Sequence, residues 1–312
     1  MSRDGVFPRL TVLLTMDWEG TDLYGENLEC LKDFQQSYGL PLLHFLNPAY
    51  YTAGQEKPRS ITEKIRAVVG EADSLGLHLH AAKHLVEAAG IDFRDGPTFS
   101  RRGKCVGRDE GIDVMLHSYL YADLERLIGF SKDLLQEQGF ANLKGFRAGG
   151  WMADSTVCEC LKLHGFEFDS SATAASLLNG SFWEADNLQR YIDILWSEIS
   201  LYSQAYSVQT SFGSIQEVPN NFGAIDYWGL EGVDFFASTA LNGSKGRGEF
   251  YAVVNAHQET AAKHWPKLEN FVDQIQENCW HEGIELNFVS DPCAATVPSY
   301  APLRQERSSL SV

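Results

Sequence analysis

The sequence predicts an α/β protein, a barrel of seven or eight strand–helix units, and three observations carry that prediction. Apolar runs of strand length alternate with amphipathic runs of helix length along most of the 312 residues. The first run, Leu10–Met16, is almost wholly apolar, as a central parallel strand covered on both faces must be. The polar clusters recur where strands end, which in a parallel barrel is the face that carries chemistry. An open doubly wound sheet is the other arrangement with this order, but no Gly-rich dinucleotide fingerprint follows the first strand.

Taken in order, Leu10–Met16 delivers Asp17-Trp18-Glu19-Gly20 at its C-terminal end, and Asn27–Tyr38 reads as a helix stopped by Gly39. Leu40–Leu46 is the second strand. Pro58 and Ser60 open a helix expected to reach about Ser74 and to feed the stretch Leu75–His84. There leucine alternates with glycine or histidine, so His78 and His80 share one face of a strand. Gly90–Gly111 has no period and reads as a long loop over a barrel mouth. Tyr121–Gln138 is helix, and Asn142–Phe146 a short strand delivering Arg147-Ala148-Gly149-Gly150-Trp151. Asp154 or Ser155 caps a helix to His164, and Phe166–Phe168 leads to Asp169-Ser170-Ser171. Thr173–Ser214 reads as irregular. Ile215–Pro219 ends at Asn220-Asn221, and Phe250–Ala256 leads into His257. A helix, Lys263–Trp280, and a last strand, Ile284–Val289, complete one domain over residues 1–298, with a polar tail at 299–312.

Forty-two acidic against 25 basic residues give a net charge of −17, which repels nucleic acid and anionic membrane surfaces. No apolar run is long enough to span a bilayer, and no signal-peptide core follows Met1, so the expectation is a cytoplasmic protein without membrane insertion. The six cysteines, Cys30, Cys105, Cys158, Cys160, Cys279 and Cys293, are scattered through a chain that needs no staples and read as reduced thiols.

Asp17 and Glu19 point to one side of an extending strand, so two carboxylates share a pocket. Two imidazoles converge as well, either His78 with His80 along a strand, or His80 with His84 at i,i+4 if the Ala-rich stretch turns helical. A carboxylate with two imidazoles is a catalytic, zinc-type metal set, because it leaves positions open for water and substrate. A second carboxylate can take a proton from that water, a strand-end arginine can keep it ionised, and His257 can protonate a leaving nitrogen. Aromatics crowd the same strand ends: Trp18 and Trp151, then Trp183, Tyr227 and Trp228. Their rings suit apolar sugar faces. His44, His117, His164, His264 and His281 lack such neighbours in sequence and read as structural.

As a set, these residues resemble the polysaccharide deacetylases, the NodB-homology or carbohydrate esterase 4 superfamily. Thr15-Met16-Asp17-Trp18-Glu19-Gly20, Gly76-Leu77-His78-Leu79-His80 and Phe146-Arg147-Ala148-Gly149-Gly150-Trp151 look like its first three motifs. Phe168-Asp169-Ser170-Ser171, Glu217-Val218-Pro219 and Asn255-Ala256-His257 fall where its later strand-end motifs would. The resemblance implies an irregular (β/α) barrel, and metal-dependent removal of an N-acyl group, usually acetyl, from an amino sugar. It implies Asp17 as general base, Glu19 as acidic metal ligand, Arg147 orienting Asp17, and His257 as general acid. Trp18, Trp151, Asp169 and Asn220 are the candidates for holding the sugar, and the expected cofactor is a divalent metal, zinc by its ligand set. Two departures stand out. A tryptophan separates the two acids, which are adjacent aspartates in most members. The second histidine is usual four residues after the position of His78, where this chain has Ala82. A catalytically inactive carbohydrate-binding protein, and a metal-independent cyclic-amide hydrolase, are the other functions this scaffold admits.

Overall fold

The computed structural model describes residues 7–100, 110–181, 187–229 and 231–293. Cys105, Trp183 and the tail at 299–312 therefore lie outside the described residues. The elements run β1 (Arg9–Asp17), α1 (Gly25–Tyr38), β2 (Leu43–Leu46), α2 (Pro58–Arg66), β3 (Ser74–Leu79), α3 (Lys83–Ala88), α4 (Tyr121–Glu137), β4 (Gly145–Ala148) and α5 (Ser155–Leu163). They continue as β5 (Phe168–Asp169), α6 (Asn187–Leu195), β6 (Tyr206–Thr210), β7 (Gly213–Glu217), α7 (Gly232–Arg247), β8 (Glu249–His257), α8 (Ala261–Glu282) and β9 (Glu285–Val289).

The strands form one curled sheet in the order β6-β7-β5-β4-β3-β2-β1-β8, parallel except for the β6–β7 hairpin. This is the irregular (β/α) barrel. β1 explains its own composition. Leu10, Val12, Leu14 and Met16 join the core beneath the helices, while Leu13 joins Leu43, Phe45, Phe168, Val218 and Val253 inside the curl. Both faces are covered, so both must be apolar. Near the rim the inward positions turn polar, and Thr15 and Asp17 continue the row of Leu13. β1 also takes two partners on one side, β9 along Arg9–Leu13 and β2 along Thr15–Asp17.

Between β7 and β8 the curl is closed without a strand. The Phe222 amide donates to the Val253 carbonyl at 3.1 Å, and the Asn255 amide to the Gly223 carbonyl at 2.8 Å. Lower down, side-chain amides stand in for backbone. Asn221 Oδ1 accepts from the Val253 amide at 2.9 Å, and Gln204 Oε1 from the Tyr251 amide at 2.8 Å. The edge of β8 thus has partners, as a buried strand edge requires.

Several boundaries differ from the sequence reading. α2 ends at Arg66 rather than near Ser74, because a turn at Gly70–Asp73 follows, with the Gly70 amide donating to Asp73 Oδ2 at 2.7 Å. β3 stays extended to Leu79 and helix begins only at Lys83. The stretch 173–214 is not wholly irregular, since it holds α6 and β6. α7 has no counterpart in the sequence reading; it mixes glycine, serine and threonine with its apolar residues and shows little periodicity. The five described cysteines are free. Among the described residues no helix is long and apolar enough to cross a membrane.

Candidate metal centre and surrounding site

The C-terminal ends of β1, β3, β4 and β8 bring Asp17, Glu19, His78, His80, Arg147 and His257 to one place. Glu19 follows β1, and its Oε1 lies 3.2 Å from His78 Nε2 and 3.2 Å from His80 Nε2. The two Nε2 atoms are 3.1 Å apart. The other nitrogen of each ring faces a carbonyl: His78 Nδ1 that of Arg147 at 3.1 Å, His80 Nδ1 that of Ile112 at 2.7 Å. A carbonyl only accepts, so each Nδ1 carries the proton and each Nε2 of a neutral ring presents a lone pair. Three lone-pair atoms therefore converge with no donor between them. Ligands held about 2.0–2.2 Å from one ion at tetrahedral or octahedral angles lie about 2.9–3.5 Å apart, so the triangle fits a divalent cation. The backbone bonds to Nδ1 are those that orient histidines as ligands.

Gly149 makes room for this arrangement. A Cβ there would lie 2.3 Å from the His80 ring, so any larger residue would displace the imidazole. His84 is placed elsewhere. It sits on α3 with Nδ1 2.7 Å from Thr52 Oγ1, outside the groups of potential ligands found among the described residues. The geometry brings His78 and His80 together, not His80 and His84, because helix begins only at Lys83 and the i,i+4 relation never forms.

Asp17 is buried deeper. Arg147 Nη1 donates to its Oδ1 at 2.9 Å and Asn255 Nδ2 to its Oδ2 at 2.8 Å, a donor set suited to an ionised carboxylate. Arg147 is fully buried and shares its donors among Thr15 Oγ1, Asp17, the Ser170 carbonyl and Ser170 Oγ. Burial pulls its pKa below the ordinary guanidinium value, against the pull of Asp17. Its guanidinium carbon lies 4.4 Å from the centre of the Phe45 ring.

His257 Nε2 is 3.8 Å from Glu19 Oε1, and its Nδ1 is 3.0 Å from Asp226 Oδ2. Burial disfavours the charged ring, but Glu19 and Asp226 outweigh it and hold its pKa well above the usual imidazole value. Burial likewise works to raise Glu19, yet His257, His78 and His80 hold it well below the carboxylate range. In the metal-free protein a proton arriving on His80 Nε2 would be held by Glu19, which raises the His80 pKa despite burial. Asp226 also accepts from Thr260 Oγ1 and lies 3.9 Å from His264 Nε2. It was not among the residues singled out in the sequence. It sits in a one-turn 3-10 segment, Ile225–Tyr227, with no periodicity to mark it.

The four candidate sugar contacts are placed differently from one another. Trp18 is wholly buried on the face of β1 opposite Asp17 and Glu19, where its ring is not open to a sugar. Asp169 is buried too, on the outer side of the sheet with Glu217. Each has one buried oxygen with no hydrogen-bond partner, and the charge of Asp169 disfavours ionisation of Glu217. Burial pushes Asp169 up to about 6 and Glu217 well above its usual value. Trp151 is buried next to Tyr227, whose ring centre lies 6.0 Å from that of His257. Asn220 is buried, and neither atom of its side-chain amide has a partner. Trp228 packs against Phe236 and is core.

No protein-family model and no curated protein matches the sequence. Solved structures do. A Mycobacterium smegmatis protein assigned as a polysaccharide deacetylase superposes over 98% of both chains, with a TM-score of 0.57 at 13% identity. The fold is that of the polysaccharide deacetylases. A family 4 carbohydrate esterase from Streptomyces lividans, solved with acetate, matches over 93% of this chain and 97% of its own, with a TM-score of 0.44 and 12% identity. A 4-alpha-glucanotransferase from Thermococcus litoralis matches over 93% of this chain and 41% of its own, with a TM-score of 0.48 and 11% identity. The polysaccharide-deacetylase fold is present here in a divergent sequence, and the roles of its side chains must be argued from their own geometry.

Proposed function

We propose that the protein is a divalent-metal-dependent hydrolase that removes an N-acyl group, acetyl in the simplest case, from a substrate containing an amino sugar. The observation that carries this is the triangle of Glu19 Oε1, His78 Nε2 and His80 Nε2, three acceptors 3.1–3.2 Å apart with no donor among them. Glu19, His78 and His80 would hold the ion, and zinc suits a set of two nitrogens and one carboxylate oxygen. Bound there, the ion supplies Lewis acidity to a water and to the acyl carbonyl.

The chain's own residues do the proton chemistry. Asp17 takes the proton of the attacking water, and Arg147 and Asn255 fix its two oxygens and so its aim. His257 is paired through Nδ1 with Asp226, whose charge favours the imidazolium, so its Nε2 can give a proton to the leaving nitrogen. A proton acceptor and a proton donor facing one pocket are what amide hydrolysis requires. The reading of an inactive sugar-binding protein has no observation of its own in its favour, since this proton chemistry would then lack a purpose.

The test pairs elemental analysis with an assay for acetate release from N-acetylglucosamine oligomers. About one zinc per chain, and turnover lost to a chelator and restored by Zn2+, is the expected result. Turnover that survives complete metal removal would replace this reading with a metal-independent amidase.

A further inference from the structure

The tryptophan that separates the two acids is the start of a buried chain of hydrogen bonds. Trp18 Nε1 donates to His44 Nδ1 at 3.2 Å, and His44 Nε2 lies 3.1 Å from Asp73 Oδ2. All three side chains are buried. The direction of the chain is fixed by chemistry. An indole nitrogen only donates, so His44 Nδ1 carries the lone pair and Nε2 the proton. That proton is given to Asp73, whose carboxylate also accepts from the backbone amides of Gly70 and Leu42 and from Gln35 Nε2. Asp73 is thereby tied to the end of α1, the start of β2 and the turn after α2.

Strand alternation gives the chain its purpose. Asp17 and Glu19 face the site, and Trp18 between them faces the opposite layer. The Trp18 amide donates to the Phe45 carbonyl at 3.0 Å, so backbone and indole are both held by β2. Beyond Asp17 the regular ladder of β1 ends, and Glu19 lies between it and a bend at Gly20 and Thr21. A side chain held at one angle on one face fixes the backbone that aims its neighbours on the other.

We infer that Trp18, His44 and Asp73 form a positioning relay that sets the aim of Glu19, and with it the affinity of the metal centre. The inference rests on the proposed role of Glu19 as a ligand. It also gives a reason for the indole between the two acids, where a second carboxylate could not donate to His44.

The test uses Trp18→Phe, His44→Leu and His44→Asn in the full chain. Zn2+ affinity is read by chelator competition, and backbone hydrogen exchange across residues 17–20 is read without metal. The two variants that break the relay should lose about 10–100-fold in affinity, the scale on which partners of metal ligands act. They should also exchange faster at 17–20. Asn places an oxygen near the position of Nδ1, so His44→Asn should keep most of both. The double variant Trp18→Phe/His44→Leu leaves no unpaired nitrogen at the indole–imidazole contact, and its thermal midpoint should recover toward wild type. Affinity that stays low in the double variant upholds a positioning role. Affinity that recovers with the midpoint, or is unchanged in the single variants, overturns it. If the wild type binds no zinc, the functional proposal fails on its own and exchange decides this one: faster exchange upholds the relay, and unchanged exchange refutes it.

Discussion

Arg147 gives Asp17 one nitrogen, not two. Nη1 meets Asp17 Oδ1 at 2.9 Å, while Nη2 turns away to Ser170 Oγ at 2.8 Å and Nε to the Ser170 carbonyl at 3.0 Å. The guanidinium is thus a bracket across β1, β4 and the end of β5 rather than a fork on one carboxylate. Arg147→Lys keeps a charge for Asp17 but cannot span the three elements. We expect turnover to fall about 100-fold through misplacement of Asp17, with zinc content unchanged. Thermal stability should fall as well, by about 1.5–3 kcal/mol for each charged hydrogen bond lost. Wild-type stability in this variant would show that the bracket carries no load.

His80→Ala should abolish stoichiometric zinc binding, and His84→Ala should leave it intact. The two differ because His80 Nε2 belongs to the triangle with Glu19 and His78, whereas His84 bonds Thr52. Protons compete for the same lone pairs, and His80 is already raised toward protonation. Zinc affinity in the wild type should therefore weaken as pH falls through the imidazole range. Elemental analysis of both variants, and zinc titrations between about pH 5 and 8, check the pair.

Asp226→Asn should move the basic limb of the pH–rate profile to lower pH. The aspartate is one of two carboxylates holding His257 above the ordinary imidazole value. Without its charge the ring loses its proton earlier, so the acid form fails at lower pH. His257→Gln, by contrast, removes the acid and should cost about 10²–10⁴-fold at every pH. A profile that does not shift in Asp226→Asn would leave that residue a structural partner only.

The strand-end motifs were readable because each obeys a short-range rule. Alternation in Leu77-His78-Leu79-His80 places both imidazoles on one face, and the apolar run of β1 delivers Asp17 and Glu19 at its end. The same alternation held the signal for Trp18, since a residue between two inward carboxylates must point outward. Its aromatic character drew the reading toward sugar instead. Asp226 was not readable, because its bond to His257 crosses 31 residues and exists only once β8 and the segment before α7 lie side by side. Asp169 and Glu217 are similar: only the pairing of β5 with β7 makes two distant acids a pair.

That pair should leave a mark on stability. Asp169 has a folded-state value of about 6 against an ordinary 3.8, a raised carboxyl. Its protonated form contributes stability that is complete below the unfolded value and is lost as pH rises through the folded one. Relative to Asp169→Asn, the wild type should therefore be favoured most near pH 4 and lose that advantage by roughly pH 6. Thermal midpoints of both proteins across this range give the difference curve. A flat curve would mean that burial does not raise the Asp169 carboxyl in the folded protein.

The seam between β7 and β8 has a mechanical meaning. Elsewhere around the curl, neighbouring strands are joined by ladders of backbone hydrogen bonds that do not depend on side-chain identity. At the seam, the amides of Tyr251 and Val253 are met by the side chains of Gln204 and Asn221, and among the described residues the Phe222–Ala224 segment alone adds backbone. The barrel is a ring with a clasp rather than a hoop, and part of the clasp is encoded in two amide side chains. Thermal breathing should start there and spread both ways around the ring. His257 and Asp226 sit on the strand and the segment that the clasp joins, so opening there would part the proposed general acid from its carboxylate partner.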